Sequence, residues 1–369
     1  MGDTVELLVG GLLYGGWKEV GITRAMDAAA GTFRLNLTDR WVGQEEAWEI
    51  NAGDLCEVRI GGEAVISGYV DVVNLQFDAG QRAIDVQGRD RSADLIDCSA
   101  VHKPDQWRGI ALLQLATVLG APFGVSARAE VSVGAAFAQV KLDHGETAME
   151  ALVRHARMRG VLVMPDGRGG LLLTRAGEHR AAVALVQGTN ILSASGKLDW
   201  SERFSEYLVK GQSTYREEDS DAEREAHVSG QARDGFVTRY RPLILQADAD
   251  VTPGAARDRA VWEANSRIGR SAEAGIVVQG WRQSAGGALW APNQLVQVVA
   301  PWLRLAGDML IRQVTFQLGP QGTTTELAVV SPQAYSPEPP KSEKTKDKVK
   351  GKGKANSWHA VIPEEVRRG

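Results

Sequence analysis

Cysteines and long apolar runs are scarce in this sequence, and their scarcity excludes several classes of protein. Cys56 and Cys98 are the only cysteines among 369 residues, and they form no Cys-x-x-Cys pair. A single disulfide would contribute little to the stability of a chain of this length. We therefore expect both cysteines to be reduced and to serve in packing, in a protein made in the cytoplasm. No run of 18 apolar residues occurs, so we predict neither a transmembrane helix nor membrane insertion by this chain. The N-terminus lacks the basic and apolar regions of a signal peptide, so we do not expect Sec export.

Motifs that indicate catalysis or metal binding are also missing. The six histidines occur without a His-x-x-x-His spacing or a neighbouring cysteine, which argues against a zinc site. There is no Gly-x-Ser-x-Gly elbow, no Walker loop and no Gly-x-Gly-x-x-Gly after a predicted strand. Carboxylate pairs such as Asp94 and Asp97 carry little weight, because a glycosidase needs two carboxylates placed across a cleft. We therefore predict no catalytic residue, no cofactor and no metal.

Charge is distributed unevenly along the chain. The net charge is −4, but residues 341–354 hold seven lysines against two acids and the residues after them balance, which leaves −9 for residues 1–340. An acidic body argues against a dedicated nucleic-acid binder, which needs a basic face. We interpret the Pro- and Lys-rich residues 336–369 as a flexible tail, with binding to an anionic partner as the alternative.

Apolar and polar residues alternate through the first hundred positions. The clearest alternations surround Leu35, Val58 and Ile84, and Gly-rich breaks separate them. A period of two indicates strands with one face in a core, and many short strands at this spacing favour a barrel or sandwich. We predict that residues 1–98 form a first β-barrel.

The middle of the chain has helical patterns, so we predict an α/β insertion domain at 99–188. Pro104 opens one helical pattern, which Gly120 ends. Thr147 and Glu150 have the spacing of a capping box at the start of a second helix. Two short apolar runs then flank a Pro- and Gly-containing loop of roughly six residues, which is typical of a hairpin.

The last third returns to strands, and we predict a second β-barrel at 189–335. An acid-rich loop at 213–235 and a helix at 253–269 interrupt it. The predicted strands of this part are Arg203–Gly211, Phe236–Leu245, Ala274–Gln283, Leu295–Val299, Met309–Leu318 and Thr323–Val330. The fold class is therefore mainly β, with two similar β-barrel domains, a small α/β domain and a helix inserted near the second barrel.

A weak internal repeat relates the two ends of the chain. Trp48 precedes a short strand at Leu55, then a long strand, a Gly turn and an alternating strand, and Trp290 precedes the same series beginning at Leu295. Chance similarity between two β-meanders explains this order equally well. If the repeat is real, one chain carries two like barrels, and three chains would place six around an axis.

Two features suggest residues for a subunit interface. The segment Gly88–Cys98 is dense in ion-pair formers at a predicted strand-to-helix junction, and it is either a structural corner or a subunit contact. Ten tryptophans against six tyrosines is an unusual balance, and tryptophan suits both cores and interfaces. The interface candidates are Trp48, Arg89, Asp90, Arg91, Trp281 and Trp290.

Several stretches, in this order, resemble the baseplate hub proteins of contractile-tailed Mu-like phages, which are related in fold to the T4-type hub and to the base of type VI secretion spikes. The likeness covers roughly residues 4–335 and leaves out the tail. The stretches that carry it are Val5–Gly11 with Tyr14–Trp17, the corner Gly88–Ala100, Leu198–Tyr207, and the helix Arg257–Arg270 around Trp262.

The resemblance implies a structural protein of the virion, assembled in the host cytoplasm, rather than an enzyme. It implies a homotrimer whose six similar barrels form a pseudo-sixfold ring between a hexameric tail tube and a trimeric spike, next to other baseplate proteins. DNA would pass through the bore without specific binding. The alternatives are the equivalent hub of a phage-derived secretion or bacteriocin particle, and a tail-associated enzyme that degrades peptidoglycan.

Overall fold

The computed structural model of the protein describes residues 3–39, 49–79, 82–212, 227–247 and 252–339. Most of its regular structure is β-sheet with a few helices, which confirms the predicted mainly β class. The helices are α1 (Ala93–Asp97), α2 (Leu112–Gly120), α3 (Ala148–Arg157) and α4 (Pro253–Arg270). The strands are β1 (Val5–Val9), β2 (Leu12–Tyr14), β3 (Glu19–Ala25), β4 (Thr32–Asp39), β5 (Leu55–Ile60), β6 (Glu63–Phe77), β7 (Arg82–Asp90), β8 (Gln106–Ile110), β9 (Ala127–Ala129), β10 (Phe137–Lys141), β11 (Leu162–Pro165), β12 (Leu171–Thr174), β13 (His179–Arg180), β14 (Leu185–Val186), β15 (Ile191–Leu198), β16 (Glu206–Gln212), β17 (His227–Arg233), β18 (Pro242–Gln246), β19 (Ala272–Gln279), β20 (Gln294–Ala300), β21 (Leu305–Gly319) and β22 (Gly322–Val330).

The first seven strands form one antiparallel arrangement, which we call the N-terminal β-unit. Its strand order is β3-β4-β7-β6-β5-β1-β2. Leu35, Val58 and Ile60 are each 0 % exposed, as the period of two predicts for the core-facing side of a strand.

A second arrangement, the C-terminal β-unit made of β13–β15 and β19–β22, repeats the order of the five strands β3-β4-β7-β6-β5. Its order is β15-β19-β22-β21-β20, and the short strands β13 and β14 pair with β20. β6 and β21 both have 15 residues, and β7 and β22 both have 9. The pairing register skips one residue at Asp71 in β6 and one at Arg312 in β21. Because these bulges occur at the same place in both units, they align the two units residue by residue.

The two β-units are joined by pairing between β21 and β3, which we call the internal seam. Phe316 lies opposite Ile22 in this antiparallel pair, and the Thr23 and Thr315 hydroxyl oxygens lie 3.2 Å apart across it. Buried side chains of both units also form one continuous core. The sheet therefore continues from one unit to the other, and no pairing among the described residues closes either unit into a barrel. That the two units are barrels stays a prediction. Alternation identifies the core-facing side chains but not which strands pair.

In the sequence, an α/β segment with its own hydrophobic core connects the two β-units. The three-stranded sheet β11-β12-β9 and the pair β10-β8 pack with α2 and α3 around this core. The capping box is confirmed, because Thr147 Oγ1 accepts a hydrogen bond from the Glu150 N–H at 3.1 Å and the Glu150 carboxylate accepts one from the Thr147 N–H at 2.9 Å. The predicted hairpin is confirmed as β11 and β12. The predicted helix start at Pro104 is wrong, because Pro104 precedes strand β8 and α2 begins only at Leu112.

A third sheet, β17-β16-β18, packs against α4, and we call this group the α4 module. The sequence placed the β16 and β18 strands in the second barrel, whereas they form this separate sheet. Part of the predicted acid-rich loop at 213–235 is strand β17, while residues 213–226 lie outside the described residues. A Cβ at Gly230 would lie 2.2 Å from the Ala256 backbone carbon. Only glycine therefore allows β17 to approach α4 this closely.

Candidate functional site

The predicted contact corner lies where β7 ends and α1 begins. Arg89 uses two nitrogens to hold two carboxylates, with Nε 2.7 Å from Asp71 Oδ2 and Nη1 2.9 Å from Asp97 Oδ2. The hydrogen bond with Asp71 contributes most to raising the pKa of Arg89. Because the three side chains are between 36 % and 50 % exposed, this ion-pair cluster is accessible at the surface of the chain.

Asp90 lies in the interior of the same corner and is 1 % exposed. Its Oδ1 accepts from the Ser92 N–H at 3.2 Å, while the Ser92 hydroxyl donates to the Ala29 carbonyl at 2.6 Å. Burial raises the pKa of Asp90 to about 6, although the hydrogen bonds from Ser92 act in the opposite direction. This carboxylate therefore supports the turn into α1 from within and offers no atom to a second chain.

Arg91 connects the corner to the α/β segment. Its Nη1 donates to the Gly124 carbonyl at 3.0 Å, and its backbone N–H donates to the Ser67 carbonyl at 3.0 Å. The corner that the sequence left open between two interpretations is thus a structural junction, with Arg89 as its accessible part. Whether Arg89 contacts another subunit stays a prediction.

The tryptophan candidates lie inside the chain where the structure describes them. Trp281 is 3 % exposed and donates from Nε1 to the Gln317 carbonyl at 3.0 Å. Trp290 is 2 % exposed and belongs to the core shared by the two β-units. Both side chains therefore pack within the chain and present no surface to a partner. Trp48 lies outside the described residues.

Two strand edges, which the sequence analysis did not select, carry exposed apolar side chains. In the second half of β6, Leu75 is 72 % and Phe77 is 88 % exposed. In β15, Leu192 is 56 % and Leu198 is 50 % exposed. Among the described strands, this half of β6 pairs only with β7, and β15 pairs only with β19. An unpaired edge carrying apolar side chains is a site for pairing with another strand.

The sequence did contain a signal for the β6 edge. Val73, Leu75 and Phe77 alternate with Asn74 and Gln76, a period of two that predicts a face to be covered. Such a pattern does not say whether the cover comes from the same chain or from another.

The described part of the chain includes a groove but no cluster of metal-ligating side chains. A groove of about 390 Å³ runs beside the β15 edge, lined by residues of β15, β19, β21 and β22. No three His, Cys, Asp or Glu side chains in the described ranges converge on one point where a metal ion could bind. Of the helices that the structure describes, none is both long and apolar enough to cross a membrane.

Comparison with known proteins assigns this arrangement to a class. The fold is similar to the 43 kDa tail protein of prophage MuSo2 from Shewanella oneidensis, with a TM-score of 0.79 and 36 % identity over 90 % of this chain and 99 % of that one. It is also similar to the tail protein from Neisseria meningitidis MC58, with a TM-score of 0.73 and 23 % identity over 92 % of this chain and 99 % of that one. The class is therefore that of phage tail proteins.

Sequence matches identify the family within that class. Residues 4–90 match the N-terminal part of Mu phage baseplate assembly protein GpP-like, residues 92–175 the second domain of baseplate hub protein gp44-like, and residues 252–338 the fourth domain of Mu phage baseplate assembly protein GpP. The chain is 37 % identical over 343 residues, 91 % of its length, to baseplate hub protein gp44 of Escherichia phage Mu, of which the match covers 89 %. The chain belongs to the baseplate hub family of Mu-like phages. It is a structural component of the virion tail and not an enzyme, which confirms the resemblance inferred from the sequence.

Proposed function

We propose that three copies of the chain form a ring of six similar β-units that joins a hexameric tail tube to a trimeric spike. The observation that carries this proposal is the common strand order of the two β-units, including the bulges at Asp71 and Arg312. Two equivalent units per chain and three chains give six quasi-equivalent positions around one axis. A ring of this kind presents threefold symmetry on one face and near-sixfold symmetry on the other.

The charge of the chain supports passage of DNA through such a ring without specific binding. Residues 1–340 carry a net charge of −9. A bore formed by acidic subunits repels phosphate and keeps a moving duplex from adhering to its wall. The tube, the spike and other baseplate proteins are the partners we propose for the two faces and the rim.

Light scattering and imaging of the purified chain test the proposal. We expect a mass three times the 39.8 kDa of one chain, and negative-stain images of threefold rings with a central opening. A monomer at every concentration refutes the ring. A trimer without an opening refutes the passage of DNA while leaving the trimer intact.

A further inference from the structure

We propose that the second half of β6 pairs in antiparallel fashion with β15 of a second copy of this chain, with Leu75 opposite Gly196 of the partner subunit. We call this pairing the outer seam. This inference rests on the proposed ring. Within that ring, it specifies which strands join neighbouring subunits and in which register they pair.

The internal seam supplies the template for this pairing. The C-terminal β-unit uses β21 there and the N-terminal β-unit uses β3. The shared strand order makes β6 the equivalent of β21 and β15 the equivalent of β3. Each of these two equivalents has an unpaired edge, since β15 pairs only with β19 and the second half of β6 only with β7 among the described strands. A ring that repeats the contact between units six times must use them.

Burial differs sharply between equivalent positions of the two units. The bulges align Leu75 with Phe316, since Leu75 lies opposite Ile84 of β7 and Phe316 lies opposite Thr325 of β22. Phe316 is 0 % exposed under the internal seam, whereas Leu75 is 72 % exposed. Phe316 is buried because β3 pairs beside it, and Leu75 has no strand in the equivalent position among the described residues.

The register of the internal seam transfers directly to the outer seam. Ile22 of β3 pairs with Phe33 of β4, and at the equivalent position Gly196 of β15 pairs with Ala274 of β19. Because Phe316 lies opposite Ile22, Leu75 lies opposite the partner subunit's Gly196. The adjacent pairs are then Gln76 with the partner subunit's Ser195 and Phe77 with the partner subunit's Ala194.

The side chains that this register brings together are complementary in size. The β6 edge presents large side chains at Leu75 and Phe77, and β15 presents its small residues Ala194 and Gly196 at the opposing positions. A Cβ at Gly196 would lie 3.2 Å from the Leu303 side chain, so Leu303 already lies beside this small residue at the β15 edge. Large residues opposite small ones fill a seam without overpacking it.

Paired cysteines across the outer seam test both the contact and its register. Gln76→Cys with Ser195→Cys, and separately Phe77→Cys with Ala194→Cys, place two cysteines at directly opposed positions. Directly opposed residues bring Cβ atoms within about 4.5–5.5 Å, and using two adjacent pairs covers both pair geometries of an antiparallel ladder. The matched control is Gln76→Cys with Lys197→Cys, a diagonal pair about 7–8 Å apart, which is too far for a disulfide.

The background for these variants carries Cys98→Ser, because Cys98 is exposed. Cys56 can remain, since it is buried and its thiol pKa is raised to about 12. After mild oxidation, we expect at least one in-register variant to give dimers and trimers that reducing agent reverses, at ten or more times the yield of the diagonal control.

A second variant tests the same contact without disulfide cross-linking. Leu75→Arg should leave the circular dichroism spectrum unchanged, because the side chain is 72 % exposed. The protein concentration at which the trimer dissociates to monomers should rise at least tenfold. Leu13→Arg, at a position 58 % exposed on β2, is the matched control and should remain trimeric.

The possible failures are distinguishable. A trimer by light scattering that gives no in-register cross-link above the diagonal control, or that Leu75→Arg leaves intact, overturns the outer seam but not the ring. A chain that is monomeric at every concentration and gives no cross-link overturns both.

Discussion

Replacing Asp234 with asparagine tests how much one buried ion pair contributes to the α4 module. Arg203 donates from Nε to Asp234 Oδ2 at 2.7 Å and from Nη2 to Asp234 Oδ1 at 2.9 Å. The two side chains are 6 % and 0 % exposed. The guanidinium also lies 4.2 Å from the ring centroid of Trp200, which covers it from solvent.

The expected cost follows from leaving the arginine charged without a countercharge. An asparagine keeps the shape and one acceptor but removes the negative charge, so Arg203 remains buried and unpaired. Breaking a buried pair in this way costs about 3–5 kcal/mol. We expect the Asp234→Asn variant to lose a free energy of unfolding in this range.

Urea unfolding followed by tryptophan fluorescence measures the loss, because Trp200 reports on the site. The matched control is Asp308→Asn, which breaks a bidentate pair with Arg180 whose side chains are 30 % and 53 % exposed. Surface pairs contribute about 0–1 kcal/mol, so this variant should remain close to the unmodified protein. If the two variants lose equal stability, or if Asp234→Asn costs less than about 1 kcal/mol, burial does not set the strength of this pair.

Three further predictions concern single side chains. Because burial raises the pKa of Asp90 to about 6, its contribution is present below the unfolded value of 3.8 and is lost as pH rises through 6. The stability of Asp90→Asn relative to the unmodified protein should therefore rise by up to about 3 kcal/mol between pH 4 and pH 7 in urea titrations, and a constant difference contradicts this. Thr147→Ala removes the cap of α3 and should cost about 1 kcal/mol by thermal unfolding, whereas no change would mean that packing alone fixes the helix start. Gly230→Ala should cost about 1–3 kcal/mol, because its Cβ would lie 2.2 Å from the backbone of Ala256, while Gly254→Ala, with open space around it, should change stability by less than about 1 kcal/mol. Equal effects of the two glycine replacements would contradict the close approach of β17 and α4.

Local patterns in the sequence were sufficient for most individual elements. The capping box at Thr147 and the Pro253 start of α4 are properties of a few adjacent residues, so they are predictable without knowing the fold. The start of α2 was placed too early because Pro104 also suits the extended chain before β8.

Contacts between distant parts of the chain were not predictable. Nothing local to Phe316 indicates that it lies opposite Ile22, and alternation alone allows many strand pairings. The same limit applies to the tryptophans. A large side chain with one polar atom suits both a core and an interface, and Trp281 satisfies its N–H within its own chain. Leu75 carried a pattern, but its exposure emerged only from the three-dimensional arrangement.

The internal seam has a consequence for how the chain folds as it is synthesised. Thr23 and Thr315, which face each other across the seam, are separated by 292 residues. At a synthesis rate of roughly 5–20 residues per second, β3 waits about 15–60 s after leaving the ribosome before its partner strand exists. During that interval the edge of β3 that later pairs with β21 is open to pairing with other nascent chains. The pairing of β3 with β21 therefore has to wait until nearly the whole chain is made, although β3 is among the first strands to be synthesised.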